Sequence, residues 1–127
     1  MTAFRMTGLA VALGLASGAA QAEEILFKCL FDGVCDPDRS KCESADLDLR
    51  FKVDTEANTV TRLGGNTTSR FSLILGDRAL TMLEVPISGG TATTTVLMDG
   101  GWAVHSDNGF EGANLSPKQF FGECQAL

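Results

Sequence analysis

From Ile25 to Ser106 the chain repeats one pattern: short stretches with an apolar residue at every second position, parted by clusters of glycine, asparagine and aspartate. A period of two puts alternate side chains on opposite faces of an extended strand and leaves no apolar stripe on a helix. Asp46–Asp54 is the clearest case. Leu47, Leu49, Phe51 and Val53 fall on one face, and Asp48, Arg50 and Lys52 on the other. Ile25, Phe27, Cys29 and Phe31 share a parity in the same way. Further strands are expected over Thr59–Leu63, Arg70–Leu75, Ala79–Ile87, Thr91–Met98 and Gly101–Ser106. Between them, Gly64-Gly65-Asn66, Gly76-Asp77, Ser88-Gly89-Gly90, Asp99-Gly100 and Asp107-Asn108-Gly109 are turn formers. Such breaks are too short for parallel crossovers, so neighbours should be antiparallel, in a meander. About seven strands in one small domain must close on themselves or pack face to face. The expected fold is therefore all-β, a small antiparallel barrel or sandwich, with the barrel preferred.

One segment breaks the alternation. Ser116-Pro117-Lys118-Gln119 carries a helix start: Ser116 as N-cap, Pro117 at the first helical position and Gln119 completing a capping box. A short C-terminal helical turn is predicted there, packed by Phe120 and Phe121 and stopped by Gly122.

Met1–Ala22 reads as a secretory leader. Arg5 supplies the basic front, Met6–Ala20 the small apolar run, and Ala20-Gln21-Ala22 the cleavage motif. The mature part would be a single β domain over 23–127. The apolar run is too short to span a bilayer, and no later segment qualifies. Glu23 and Glu24, with no cysteine, follow the cleavage motif, so no lipid anchor is expected. A soluble periplasmic or secreted protein follows. Loss of the leader removes Arg5 and no acid, leaving nine basic against 16 acidic residues, a formal charge of about −7. That balance excludes the electrostatic footprint of a nucleic-acid binder and suits a basic protein partner.

Export also makes Cys29, Cys35, Cys42 and Cys124 interpretable, since an even cysteine count in a small exported domain indicates disulfides. Four cysteines allow three pairings. Cys35–Cys42, closing a short acidic loop, and Cys29–Cys124, tying the first element to the last, are favoured. Structural zinc is disfavoured, because no C-x-x-C pair is present and the chain holds one histidine. No metal or cofactor is expected.

Few residues suggest chemistry. His105 lies in Trp102-Ala103-Val104-His105, where the alternation sends Trp102 and Val104 to the core and His105 to the surface. No nucleophile elbow is present, and Ser106 and Asp107 face opposite sides of a strand. No catalytic residues are expected. The acidic cluster Asp32, Asp36, Asp38, Glu43, Asp46 and Asp48 surrounds Cys35 and Cys42. Asp36, Asp38 and Ser40 resemble the opening of a calcium loop, but Lys41 stands where that loop needs glycine and Leu47 where it needs glutamate. A solvated, disulfide-pinned loop is the better reading. Its Asp32, Asp36, Asp38, Arg39, Lys41 and Glu43 are the candidate partner contact. Thr91, Thr93 and Thr95 share a strand face but form no array, and Asn66-Thr67-Thr68 is a glycosylation sequon within a turn.

Phe27-Lys28-Cys29, Ala103–Ser106 and the ending Pro117-Lys118-Gln119-Phe120-Phe121-Gly122-Glu123-Cys124 resemble small exported proteins of alphaproteobacteria. That resemblance spans most of the mature chain and implies a compartment and a barrel-like shape, with no activity attached. In order, Phe27-Lys28-Cys29, Ser88-Gly89, Trp102 and Cys124 are also similar to the periplasmic inhibitors of c-type lysozyme, which are small antiparallel barrels. The chain departs from them after Ser88-Gly89, where no basic-plus-tyrosine pair follows, and after Trp102, where no Lys-Gly follows. The leading expectation is an exported binding or inhibitor-type module, monomeric and without a catalytic constellation. A structural or envelope-stress accessory is the alternative. A small hydrolase would require a pocket gathering His105 with Asp107 or Glu111.

Overall fold

The structure, a computed structural model, describes residues 24–64 and 69–127. The expected leader over 1–22 and the sequon Asn66-Thr67-Thr68 lie outside the described residues. Eight strands follow one another: β1 (Glu24–Cys35), β2 (Cys42–Asp54), β3 (Thr59–Leu63), β4 (Arg70–Leu75), β5 (Ala79–Val85), β6 (Ala92–Leu97), β7 (Trp102–Glu111) and β8 (Asn114–Ala126). They form one sheet in the order β3-β2-β1-β8-β7-β6-β5-β4, and every neighbouring pair is antiparallel. First and last strands lie side by side, and the free edges, β3 and β4, approach each other. The result is a nearly closed barrel with one unladdered seam, and no helix occurs among the described residues.

The alternation read from the sequence sets most of the inner face. Leu49, Phe51 and Val53 of β2 are buried, as are Cys29 and Phe31 of β1. Val60, Leu73, Leu80, Met82 and Val96 complete the wall from the remaining strands.

The expected helical turn is absent. Its residues belong to the thirteen-residue β8, paired with β7 from Asn114 to Glu123 and with β1 from Gln119 to Ala126. A one-turn helix offers few internal bonds, whereas the strand gains ladders on both sides. Pro117 is tolerated because β1 reaches only to Gln119, leaving that stretch of β8 a single neighbour and a free side for the missing N–H. Nor does β7 end at Asp107-Asn108-Gly109. It continues to Glu111 and turns at Gly112-Ala113, with Gly112 at φ 61°.

Cys29 is bonded to Cys124, 95 residues apart, and Cys35 to Cys42. Both bridges join directly opposed residues, across β1–β8 and β1–β2 respectively. Two such bonds point to an oxidising, extracellular type of compartment. No helix among the described residues is long and apolar enough to cross a membrane.

At one end, the base, lie the β2–β3, β4–β5 and β6–β7 turns. At the other, the mouth, lie the 36–41 loop, the β5–β6 connection and the β7–β8 hairpin. Inward residues near the base are apolar, while several toward the mouth are polar or charged.

Candidate functional sites

The mouth is polar because three strands turn ionisable residues inward there. Arg62 continues the inner parity of Val60, and Glu84 that of Leu80 and Met82, so both enter the barrel. They meet as an ion pair, Nη1 to Oε2 at 3.2 Å, spanning from β3 to β5 past the start of β4. Ser69 donates to Glu84 Oε1 at 3.0 Å. This half-buried latch lies at the seam, where the backbone ladder is missing.

His105 is inside the barrel, 6% exposed, and Trp102 is outside it at 51%, the reverse of the sequence expectation. The reason is volume. Ala103 shares the parity of His105 and lies opposite Gly122, and this pair of small residues lets the wall approach β1. A Cβ at Gly122 would overlap the backbone of Leu30 and Phe31. The bulk of the core comes from Phe31, Phe51 and Met82, and an indole at an inner position of β7 would have no room beside them.

The His105 ring lies between Phe31 and Phe120, at centroid distances of 5.7 and 5.9 Å. Its Nδ1 shares a 2.7 Å hydrogen bond with Thr94 Oγ1, directly opposite on β6. Burial pushes its pKa below the ordinary 6.5; Asp107 and Glu84 favour the cation without overcoming that effect, and Arg62 opposes it. Thr94 is 2% exposed, so the pair fixes the ring and presents no nucleophile to solvent. Asp107 lies two residues along β7 and lines the same 290 Å³ cleft as His105, Glu84 and Arg62. Glu111 is not brought there; it sits at the exposed β7–β8 hairpin beside Ser116. Lys118 stands opposite Asp107 on β8 and, with Asp36, Lys41 and Glu43, lines a neighbouring 270 Å³ cleft over Phe120.

The second region is the outer face of β1, β8 and β7. The ladder register of β1 shifts between Phe31 and Gly33, and Asp32 stands at this bulge without a ladder partner. Bulges of this kind re-aim side chains. Asp32 joins Leu30, Lys28, Trp102, Phe121 and Glu123 in lining a 790 Å³ open groove. Trp102 and Phe121 stand 6.3 Å apart, centroid to centroid.

The disulfide loop borders this groove. Asp36 N donates to Lys41 O and Arg39 N to Asp36 O, forming a tight turn with Arg39 at φ 57°. That left-handed backbone is unfavourable for a side chain with a Cβ. Here it accompanies a guanidinium seated over the Phe121 ring, 5.7 Å from its centroid. Asp38 accepts from Ser40 N and Oγ, at 3.0 and 2.7 Å, and these bonds hold its carboxyl below the usual range. Of the suspected contact residues, then, Asp32 lines the groove, Arg39 lies over the Phe121 ring, and Asp36, Lys41 and Glu43 line the cleft beside the mouth. Asp38 stabilises the turn. Among the described residues no group of three histidine, cysteine, aspartate or glutamate side chains is placed to hold a metal.

Sequence reading missed Phe121, Leu30, Arg62 and Glu84. The last two were detectable, because each shares the parity of an apolar strand face; Phe121 was hidden by the helical reading of its segment. Comparison with family models, with curated proteins and with solved structures finds no match to this chain.

Proposed function

We propose that the protein is an exported binding module that docks a basic protein partner on the outer β1-β8-β7 face. The observation that carries this reading is the placement of Trp102, which folding leaves half exposed in the 790 Å³ outer groove, beside Phe121 and the half-exposed Leu30. Exposed aromatics in a depression are the usual anchors of protein interfaces, and apolar patches rimmed by charge mark interaction sites. Asp32 and Glu123 supply acceptors at the rim. The acidic excess of the whole chain, −6 with the leader included, would steer a basic partner toward it. Arg39, carried by the disulfide loop, stacks on Phe121, one of the groove's lining residues.

The test is capture from envelope extract with the mature protein, followed by affinity measurement on the purified partner, with c-type lysozyme assayed in parallel for inhibition. Trp102→Ala and Phe121→Ala should each weaken the purified complex by about thirtyfold or more, the scale of an interface hot spot. Both variants binding as tightly as the parent, or no partner emerging from either assay, would overturn the reading.

A further inference from the structure

The mouth cleft is a separate feature from the outer groove, and its chemistry points to a different kind of ligand. We propose that it holds a small organic cation, an amine whose ammonium lies against the Asp107 carboxylate and the Glu84 edge, with its apolar part against Phe110 at the rim. The inference does not depend on the docking reading of the outer face.

Arg62 and Glu84 neutralise one another at 3.2 Å. Asp107 lines the same cleft and has no ion-pair partner among the described residues, although Lys118 stands opposite it in the ladder. The charged groups lining the cleft, Arg62, Glu84 and Asp107, therefore leave a net charge of −1, with Lys118 turned to the neighbouring cleft. An electrostatic contact is stronger in a cleft than on an open surface. A free anion would meet Asp107 and an arginine already engaged. A neutral ligand would leave the carboxylate unpaired. An ammonium supplies both the charge and several N–H donors.

Shape agrees with a small ligand. The volume, 290 Å³, lies at the lower limit of ligand pockets. Gly90 and Ala92 line the cleft from the β6 side, and Gly90 packs closely on β7: a Cβ there would overlap the Asn108 carbonyl and touch the Phe110 ring. Phe110 thus stands at the entrance, half exposed, with a face available to a cation or its methylenes. His105 forms part of the inner wall, locked to Thr94.

Titration of the folded protein with butane-1,4-diamine, followed by amide and histidine-ring NMR shifts, tests this directly. Butane-1,4-diol and succinate serve as the neutral and anionic counterparts of the same length. The diamine should bind with a Kd of about 1 mM or tighter, shifting Thr91, Asn108 and the His105 ring, while the diol and the dianion leave them unmoved. Asp107→Asn, nearly isosteric, should weaken the diamine at least tenfold with the melting temperature little changed. The proposal is overturned if the parent shows no shift at about 10 mM diamine, or if diol or succinate moves the same residues equally. It is also overturned if a folded Asp107→Asn retains parental affinity. Should that variant fail to fold, the three-ligand series on the parent protein decides alone.

Discussion

His105 sits where a positive charge is poorly solvated, its ring wedged between Phe31 and Phe120 and its Nδ1 engaged by Thr94. In the unfolded chain it titrates normally, near 6.5, whereas in the folded barrel its pKa is depressed, first by burial. Below the ordinary value the unfolded state therefore binds more protons than the folded one. Stability falls as pH drops from neutrality through 6.5 toward the depressed folded value. Thermal melts at about pH 7.5 and about pH 5.5 should show this loss in the parent and a smaller one in His105→Gln. Equal losses in both would assign the effect to other groups. Gly122 is the second decisive residue. Any Cβ there meets the β1 backbone at Leu30 and Phe31, which cannot move aside as a flexible side chain could. Gly122→Ala should destabilise by about 3 kcal/mol or more in urea titration. A loss under about 1 kcal/mol would mean that β1 can back away.

At the scale of elements, β3, β4 and the Asp46–Asp54 part of β2 were legible because alternation and turn chemistry agreed; residues 42–45, the first four of β2, lack that parity and read as loop. The end of the chain was not. Ser116-Pro117-Lys118-Gln119 carries every local mark of a helix start, and local marks govern only when no neighbour competes. Here β7 and β1 offer backbone partners to nearly every residue of the segment, and the ladder overrides the cap. The inner and outer faces of β7 were misassigned for a related reason. Hydrophobicity alone sends Trp102 inward, but the inner parity of β7 is taken by Ala103, buried opposite Gly122, and by His105. Both candidate sites depend on these two strands, which is why so little of either could be read in advance. What could be read, the acidic loop, proved to split its residues between groove, cleft and turn.

For the molecule as a whole, the two disulfides differ in reach. In the chain-entropy model, closing a 95-residue separation contributes about 4–5 kcal/mol, and closing the 7-residue separation about 2–3. Cys29→Ala with Cys124→Ala should therefore lower stability well beyond Cys35→Ala with Cys42→Ala, a ranking that denaturant midpoints check directly. Equal losses would show that loop length does not set the cost of breaking these bridges.

Both bridges are anchored on β1, one to each of its neighbours, so β2, β1 and β8 are covalently one piece. The opposite side of the barrel has no such bond: β3 and β4 meet without a ladder, with Arg62 and Glu84 reaching across at the mouth. The molecule is mechanically lopsided, a stapled spine facing a clasp. The same two side chains that fasten the clasp also line the mouth cleft. A ligand in that cleft would tighten the barrel only as far as it binds the fastened wall better than the parted one.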